Sequence, residues 1–310
     1  MTPRSPHGGW PRVVAIGGGH GQATSLRAIK RYAAEVTAIV SVADDGGSSG
    51  RLRELLGIPA PGDIRRCIGA LLPDDSPVVR ALEHRFEVGE LDGHALGNLV
   101  IAALVATTGD FVDAVDEVCR MLGAAGRVLP ATVDPVVLKA EVSGEVLRGQ
   151  VKIQETGHIR RVSLVPLGSR PPQAALDAIE AADQIVIGPG SLYTSVLAAC
   201  AVPAIRDAVA AGGARGALRV YVSNLREQHP ETDGYDVAAH LAALRLHGIN
   251  VDVLLADSES MPLGRVPERL RVETMPLAAP SGAEHSVGRL ARALAATVGA
   301  GPVLVGSSDE

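Results

Sequence analysis

Two glycine-rich turns contain the residues of this chain best suited to binding a phosphate, because glycine lets a phosphate approach the backbone closely. The first, GGGHG at residues 17–21, follows an apolar run and precedes a helical pattern. Its candidate binding residues are Gly17, Gly18, Gly19 and Gly21. The turn has GxGxG rather than GxGxxG spacing and lacks the GK[ST] ending of a Walker A loop. It predicts a phosphate or sugar contact, with a purely structural strand-to-helix turn as the alternative.

A second turn, GPGSLYTS at residues 188–195, repeats this arrangement after another apolar run. Its candidate binding residues are Gly188, Gly190, Ser191, Tyr193, Thr194 and Ser195. Two helix starts that accept anions are what a two-ended ligand such as a nucleotide sugar would need. Ser191 is not in a GxSxG elbow, which argues against a serine hydrolase. Asn224, at the end of a later strand pattern, is a candidate for the same crevice.

An acidic pair followed by small residues, DDGGSSGR at residues 44–51, ends the second strand pattern. Its candidate binding residues are Asp44, Asp45, Gly46, Ser48, Ser49, Gly50 and Arg51. In dinucleotide folds an acidic residue at this point binds a ribose hydroxyl. Adjacent carboxylates could also hold a divalent cation, while the small residues wrap a ligand with amides and hydroxyls. The structural alternative is an acidic turn with a flexible Gly/Ser loop.

Two weaker motifs complete the set of candidates. PGDIRR at residues 61–66 places Asp63 where it could cap a helix, bind a ligand or do both. GHALGN at residues 93–98 opens an apolar helix pattern, where an isolated histidine is more often structural than functional. The candidates from the two motifs are Gly62, Asp63, Arg65, His94 and Asn98.

The elements that must position these residues follow an α/β rhythm. Strand patterns at residues 12–16, 36–42, 184–187, 218–223 and 251–255 alternate with helix patterns at 22–32, from 173, at 235–247 and at 283–298. The opening strand, glycine turn, helix and strand form a βαβ unit. A helical region at residues 64–122 and an antiparallel pair at 136–142 and 146–156 interrupt the alternation.

We therefore predict an α/β fold, a modified Rossmann-like, doubly wound and mostly parallel sheet with a helical and hairpin insertion. One domain is expected over residues 1–310, with flexible ends at 1–11 and 307–310. Because open α/β sheets bind ligands beyond the carboxyl ends of their strands, the polar turns should share one crevice.

Composition argues against several classes of function. The 29 basic and 35 acidic residues give a net charge of −6, and only 2% of residues are aromatic, which disfavours nucleic acid as a partner. Three widely spaced cysteines without metal-ligand spacing argue against disulfides and zinc and favour a reducing compartment. The N-terminal stretch lacks a signal-peptide core and no apolar run reaches the length of a membrane span. We expect a cytoplasmic protein that is not inserted in a membrane.

Six longer motifs follow one another in a specific order and spacing. They are VADDGGSSGRLR (42–53), GIPAPGDIRRC (57–67), GHALGNLVIAAL (93–104), TGDF (108–111), GPGSLYTSV (188–196) and NLREQHPETDGY (224–235). In combination, over residues 13–255, they resemble the YvcK, or gluconeogenesis-factor, branch of the CofD-like family. The resemblance implies a UDP-sugar-binding regulatory protein, with UDP-N-acetylglucosamine as an example of the ligand. It also implies a role in growth on gluconeogenic carbon sources and in cell-wall or shape maintenance, with no required cofactor.

The same resemblance implies an alternative, since the sister branch is enzymatic. That alternative is a Mg²⁺-dependent transferase of the 2-phospholactate type, using a nucleoside-diphosphate-linked donor, with Asp44 and Asp45 as metal ligands. A third hypothesis is an NAD-dependent dehydrogenase. The first turn and Asp44 permit NAD binding, but the sequence shows no pair of residues placed to catalyse hydride transfer. We expect a small homo-oligomer from the fold class. His20 and Gln22 depart from the threonine and leucine of many relatives, and residues from Asp257 onward have no residue-by-residue match.

Overall fold

The structure, a computed structural model, describes residues 10–301 and residue 303. Strands in this part are β1 (Arg12–Gly17), β2 (Glu35–Val40), β3 (Arg127–Pro130), β4 (Val137–Val142), β5 (Glu145–Arg148), β6 (Ile159–Val165), β7 (Gln184–Ile187), β8 (Leu218–Val222), β9 (Val253–Asp257) and β10 (Arg271–Met275). A seven-stranded sheet has the order β10-β9-β8-β7-β1-β2-β3, and its neighbouring strands are parallel. A smaller antiparallel sheet has the order β5-β4-β6.

Helices cover both faces of the large sheet. They are α1 (Gly19–Ile29), α2 (Gly47–Leu56), α3 (Gly62–Leu71), α4 (Pro77–Glu83), α5 (Leu96–Thr108), α6 (Phe111–Leu122), α7 (Gln150–Gln154), α8 (Gln173–Ala181), α9 (Leu197–Cys200), α10 (Pro203–Arg215), α11 (Val237–Leu246) and α12 (Val287–Thr297). A π-helical turn, Leu192–Val196, leads into α9. Helix α1 packs against α3 and α12, whereas α10 packs against α8 and α9. Strands β7 and β9 are buried along their whole length, as expected for parallel strands covered on both faces.

The order of the large sheet reverses between β1 and β7. From β1 the chain continues to β2 and β3 on one side, and from β7 it continues to β8, β9 and β10 on the other. Ile16 pairs with Ile187, so the carboxyl ends of these two central strands are level. Crossovers that leave in opposite directions open a crevice at such a switch point. The predicted α/β, Rossmann-like fold is confirmed, and both glycine turns begin at this crevice.

A buried glutamine fixes the last helix to the sheet. Gln184 in β7 is fully buried, and its amide nitrogen donates to the Leu294 carbonyl at 3.1 Å and to Thr297 Oγ1 at 2.8 Å. Its amide oxygen accepts from the Tyr32 hydroxyl at 2.6 Å. The bonds satisfy a polar side chain that would otherwise be costly to bury, and they position α12 beside α1.

The Gly/Ser loop, considered as the structural alternative to a ligand site after the acidic pair, is not formed. Residues 47–56 form α2, with Ser48, Ser49 and Leu52 buried against the rest of the protein. The RLRELL half of this segment consists of good helix formers, and Gly57 ends the helix in the left-handed conformation, φ 67°. The small residues therefore form the first turn of a helix.

The predicted hairpin is correct in its turn and wrong in its second strand. Strand β5 ends at Arg148, and residues 150–154 form α7 instead of continuing the strand. The longer partner of β4 is β6, which the sequence patterns did not predict, and β3 and β10 were also missed. Short strands of four or five residues with mixed polarity carry too little alternation to be recognised.

Of the ends expected to be flexible, residues 1–9 and 307–310 lie outside the described residues. Pro11 is buried, and its carbonyl accepts from the amide of Ala34 at 2.8 Å. In the described part no single helix is long and apolar enough to cross a membrane. A pair bent by 78°, Leu192–Cys200 with Pro203–Arg215, meets that test by length and composition alone.

Candidate functional site

The two glycine turns touch each other at the switch point. A Cβ atom on Gly21 would lie 2.6 Å from the carbonyl carbon of Pro189 and 2.8 Å from the Cα of Gly190. A Cβ on Gly190, whose φ is 143°, would lie 3.3 Å from the carbonyl oxygen of Gly18. Only glycine allows this approach, so the turns form one continuous floor beneath the crevice.

A cavity of about 460 Å³ lies on the β2 side of this floor. The two turns contribute Gly18, Gly19, His20, Gly21, Gly190, Ser191 and Ser195 to its wall. The starts of α2 and α3 contribute Asp44, Gly46, Asp63 and Arg66, and α7 contributes Gln150, Val151 and Gln154. Gln228 completes the wall. We call this space the acidic cavity.

A second cavity, of about 360 Å³, adjoins the first. It shares His20, Gly21, Gly190 and Gln228 with the acidic cavity. Its remaining wall consists of Thr24, Pro189, Asn224, Leu225, Arg226, Ala283, Glu284 and His285. We call this space the loop cavity, because the segment at residues 283–285 forms one side of it.

The N-terminus of α1 is the wall that both cavities share. Gly18 supplies no side-chain cap, and the first turn of the helix contains no acidic residue. The first amide groups of a helix have no intrahelical acceptor, and they carry the positive end of the helix dipole. Gly21 lies on both walls and Gly19, with φ 67°, on the wall of the acidic cavity, and neither covers the backbone with a side chain. The shared wall is therefore suited to a phosphate group.

The second turn is not the anion-binding helix start that its sequence suggested. Glu231 is 2% exposed, and its Oε1 accepts from the amides of Tyr193 at 2.6 Å and Thr194 at 3.4 Å. Its Oε2 accepts from Thr194 Oγ1 at 2.8 Å. An internal carboxylate therefore holds the amides that a phosphate would use, and this prediction is corrected. Burial raises the pKa of Glu231, and the hydrogen bonds from Tyr193 and Thr194 oppose that shift.

Asn224 fixes the centre of the second turn. Its Oδ1 accepts from the Gly190 amide, and its Nδ2 donates to the Gly190 carbonyl, both at 3.0 Å. The Tyr193 hydroxyl bonds the Tyr235 hydroxyl at 2.9 Å, away from either cavity wall. What this turn presents to the acidic cavity is the pair of hydroxyl groups on Ser191 and Ser195.

The two carboxylates on the wall of the acidic cavity are Asp44 and Asp63 rather than Asp44 and Asp45. Asp45 accepts from the amides of Gln150 at 3.1 Å and Val151 at 3.0 Å, so it caps α7. Asp63 does not cap α3, whose N-cap Pro61 has no side-chain hydrogen bond. The Asp63 carboxylate instead accepts from Arg66 Nη1 at 2.7 Å.

The surroundings of Asp44 disfavour the ionised form of its carboxyl group. Burial raises the pKa of its carboxyl group, and the charge of Asp63 adds to that shift. Hydrogen bonds from the Gly46 amide, at 2.9 Å, and from Ser49 partly oppose it, as does the charge of Arg66. A cation or a set of hydroxyl donors would relieve the repulsion between the two carboxylates.

Several predicted binding residues lie in a buried network behind the site. Arg65, 1% exposed, forms an ion pair with Glu83 at 2.7 Å and donates to Asn98 Oδ1 at 2.9 Å. Asn98 donates to Ser48 Oγ at 3.0 Å, and Ser48 contacts His94 Nδ1 at 3.1 Å. The network joins α2, α3, α4 and α5, and none of these side chains is on a cavity wall. This buried network therefore supports the start of α2.

The remaining candidates also support the site from outside the cavity walls. A Cβ on Gly62 would clash with Ser49 Oγ, and one on Gly50 would clash with the Asp45 carbonyl. Arg51 donates to the Asp92 carbonyl at 2.6 Å. Gly17 ends β1, and Gly188, with φ 74°, begins the second turn.

The pair Asp44 and Asp63 matches what Mg²⁺ usually takes from a protein. Mg²⁺ binds through one or two carboxylates together with ligand phosphates and water. Among the described residues there is no group of three or more His, Cys, Asp or Glu side chains that could hold a metal ion alone. The residues therefore fit a Mg²⁺ ion that is held jointly with a bound phosphate, next to the N-terminus of α1.

Asp257, which sequence reasoning did not select, positions the loop of the loop cavity. It ends β9 and is 6% exposed. Its carboxylate accepts from Glu259 N at 3.0 Å, Ser260 Oγ at 2.7 Å, Leu277 N at 2.6 Å and Ala278 N at 2.8 Å. Ala278 forms a β-bridge with His285, which lies on the cavity wall. The predicted strand at 251–255 stopped two residues short of this position, which hid its place at the carboxyl edge.

Comparison with known proteins gives the family. The family model described as 2-phospho-L-lactate transferase CofD matches residues 13–279. The chain belongs to the CofD family. It is 46% identical over 258 residues to the gluconeogenesis factor of Bacillus subtilis (strain 168), covering 81% of this chain and 80% of that protein. It is 45% identical over 249 residues to the gluconeogenesis factor of Halalkalibacterium halodurans, covering 78% and 76%.

A solved structure extends this likeness to three dimensions. The crystal structure of a member of the UPF0052 family from Bacillus halodurans, at 2.60 Å resolution, matches with a TM-score of 0.85 and 37% identity. The match covers 92% of this chain and 98% of that one. The predicted resemblance to the gluconeogenesis-factor branch of the CofD family is confirmed.

Replacing Gly21 by alanine tests the contact between the turns. The added Cβ would meet the backbone of Pro189, which cannot move without displacing β7, so we expect a loss of about 2 kcal/mol in unfolding free energy. Urea denaturation measures the loss. Gly69→Ala is the matched control, because its Cβ would meet nothing closer than 3.7 Å in the interior of α3. Equal stability of the two variants would contradict the contact.

Asp257→Asn tests the support of the loop. Burial alone would raise the pKa of Asp257, but its hydrogen bonds outweigh burial and lower the pKa to about 2. Since an unfolded aspartate titrates near ~3.9, the stabilisation is complete above about pH 4 and disappears as the pH falls through about 2. We expect the free energy of unfolding of the variant to be about 2 kcal/mol lower than that of the wild type near neutral pH. We also expect its stability to fall less steeply in acid, so that the acid limb of its stability–pH curve is flatter.

Urea unfolding at a series of pH values provides the measurement for Asp257→Asn. Asp113→Asn, at an exposed position of α6, serves as the control that keeps the acid limb of the wild type. An acid limb in Asp257→Asn as steep as that of the wild type would show that this carboxylate is not the group responsible.

Proposed function

We propose that this protein binds a nucleotide sugar, a UDP-sugar such as UDP-N-acetylglucosamine, and acts as a regulatory protein of carbon metabolism. The observation that supports this most directly is the pair of adjoining cavities that share the N-terminus of α1 at the switch point. A diphosphate with a group at each end fits such a shared wall. The volumes, about 360 and 460 Å³, lie within the roughly 300–1,000 Å³ typical of small-molecule sites.

The names of the relatives support the regulatory role. Two proteins more than 40% identical to this chain are named gluconeogenesis factors. On this proposal the bound nucleotide sugar reports the supply of precursors during growth on gluconeogenic carbon sources, and cell-wall and shape maintenance depend on that signal. The protein would act in the cytoplasm, where nucleotide sugars are made.

Isothermal titration of UDP-N-acetylglucosamine into the purified protein tests the proposal. We expect one ligand per chain, and an affinity reduced about tenfold in Arg66→Ala, because a guanidinium on the wall of the acidic cavity is lost. Arg160→Ala, at an exposed position in β6, is the matched control. Absence of heat at high protein concentration, with no ligand carried through purification, would refute the proposal.

The transferase alternative is supported by Asp44 and Asp63 on one wall, beside the start of α1, which has no side-chain cap. In that case the two carboxylates would hold Mg²⁺, which neutralises a diphosphate leaving group when bound. The helix terminus of α1 would hold the phosphates, and Ser191 and Ser195 would orient the transferred group. This alternative uses the same crevice as the leading proposal and differs in whether a bond is broken.

Incubation with Mg²⁺, a guanosine-diphosphate-linked donor and a deazaflavin acceptor distinguishes the two functions. If the protein is a regulator, we expect no release of nucleotide above the rate of a boiled sample. Turnover that Asp44→Asn and Asp63→Asn abolish, while Asp113→Asn leaves it intact, would make the transferase the correct function.

A further inference from the structure

Resting on the proposed function, we propose an orientation for the ligand. The nucleobase lies in the loop cavity, the diphosphate on the shared wall at the start of α1, and the sugar in the acidic cavity. The two cavities differ in the chemistry of their side chains, and that difference gives the bound molecule a direction. The proposal thereby assigns separate residues to recognition of the base and of the sugar.

The shared wall fixes the middle of the ligand. His20, Gly21, Gly190 and Gln228 are common to the two cavities, so any molecule that occupies both must pass them. Among the neighbouring helix starts, that of the second turn already holds the buried carboxylate of Glu231. The start of α2, also without a side-chain cap, lies on the wall of the acidic cavity alone. The uncapped start of α1 is thus the wall on which a diphosphate gains most from the helix dipole.

The acidic cavity suits a sugar. Ionised carboxylates only accept hydrogen bonds, and every hydroxyl group of a sugar can donate one. Asp44 and Asp63 supply the acceptors, while the side-chain amides of Gln150 and Gln154 supply both donors and acceptors. Donation from two or three hydroxyl groups would also offset the repulsion between the carboxylates.

The loop cavity suits a planar base. Pro189, Leu225 and Ala283 give it apolar surface that can cover the faces of a ring. The exposed guanidinium of Arg226 can donate to a carbonyl oxygen on the edge of the base. His285 lies on the same wall, is 8% exposed, and has no hydrogen-bond partner at Nε2 among the described residues.

The opposite orientation would place hydrogen-bond acceptors of the base against hydrogen-bond acceptors of the protein. A uracil ring presents two carbonyl acceptors and one N–H donor, so two carboxylates would face mostly acceptors in the acidic cavity. A sugar in the loop cavity would lie against the apolar surface of Pro189 and Leu225 and would meet one carboxylate, that of Glu284, instead of two. The proposed direction avoids both costs.

A ligand-truncation series tests the orientation. UMP, UDP and UDP-N-acetylglucosamine are titrated into wild type, Arg226→Ala and Gln154→Ala, two changes at exposed side chains on opposite cavities. We expect Arg226→Ala to weaken all three ligands by a similar factor of roughly five to ten. Gln154→Ala should weaken UDP-N-acetylglucosamine by roughly the same factor and leave UMP and UDP unchanged.

Arg215→Ala and Gln173→Ala, exposed and on neither wall, are the matched controls and should bind like wild type. The reversed pattern, with Gln154→Ala weakening UMP and Arg226→Ala affecting only the UDP-sugar, would overturn the orientation while leaving the proposed function intact. Equal effects of both variants on all three ligands would also overturn it. Failure of every ligand to bind the wild type would instead refute the proposed function, and the orientation with it.

Discussion

The close contact between two glycine turns is the constraint on which the rest of the site depends. Strands β1 and β7 are neighbours at the point where the sheet order reverses, and the chain leaves them toward opposite sides. Gly21 therefore packs directly on the backbone of Pro189. Any side chain at this point would separate the two central strands and widen the floor shared by the cavities. Stability of the sheet and shape of the site are thus determined by the same few atoms.

Around this floor, internal carboxylates determine which helix N-termini remain available to a ligand. Asp45 caps α7, and Glu231 occupies the amides of the second turn. The start of α1 has no such partner side chain. Internal carboxylates thereby occupy the amides at the starts of α7 and of the second turn, whereas the start of α1, which lines both cavities, has no side-chain cap. The acids on the wall of the acidic cavity, Asp44 and Asp63, are separate from Asp45 and Glu231, whose carboxylates bond backbone amides.

The parts of the structure that could be predicted are those with local signals. The buried strand at 184–187 and the βαβ order follow from residue type and spacing, and the structure has them as expected. The helix predicted over residues 22–32 begins three residues earlier, at Gly19, so that most of the predicted glycine turn is the first turn of α1. The roles of Asp45, Glu231 and Asp257 could not be predicted, because each carboxylate bonds amides that are distant in the chain or hidden by a misplaced strand end. Adjacent acids in a sequence look equivalent, and only the fold turns Asp45 toward α7.

The distribution of the site along the chain bears on how binding could act as a signal. Both halves of the large sheet, the helical insertion and the hairpin-borne helix α7 each contribute side chains to the acidic cavity. Helix α7 is joined to the start of α2 through Asp45, and α2 is joined to α3, α4 and α5 through the Arg65 network. A ligand that draws these elements together stabilises one relative arrangement of them over others. Under the proposed regulatory function, α4 and α5, which lie beyond the cavity walls, would carry that arrangement to surfaces that the ligand does not touch.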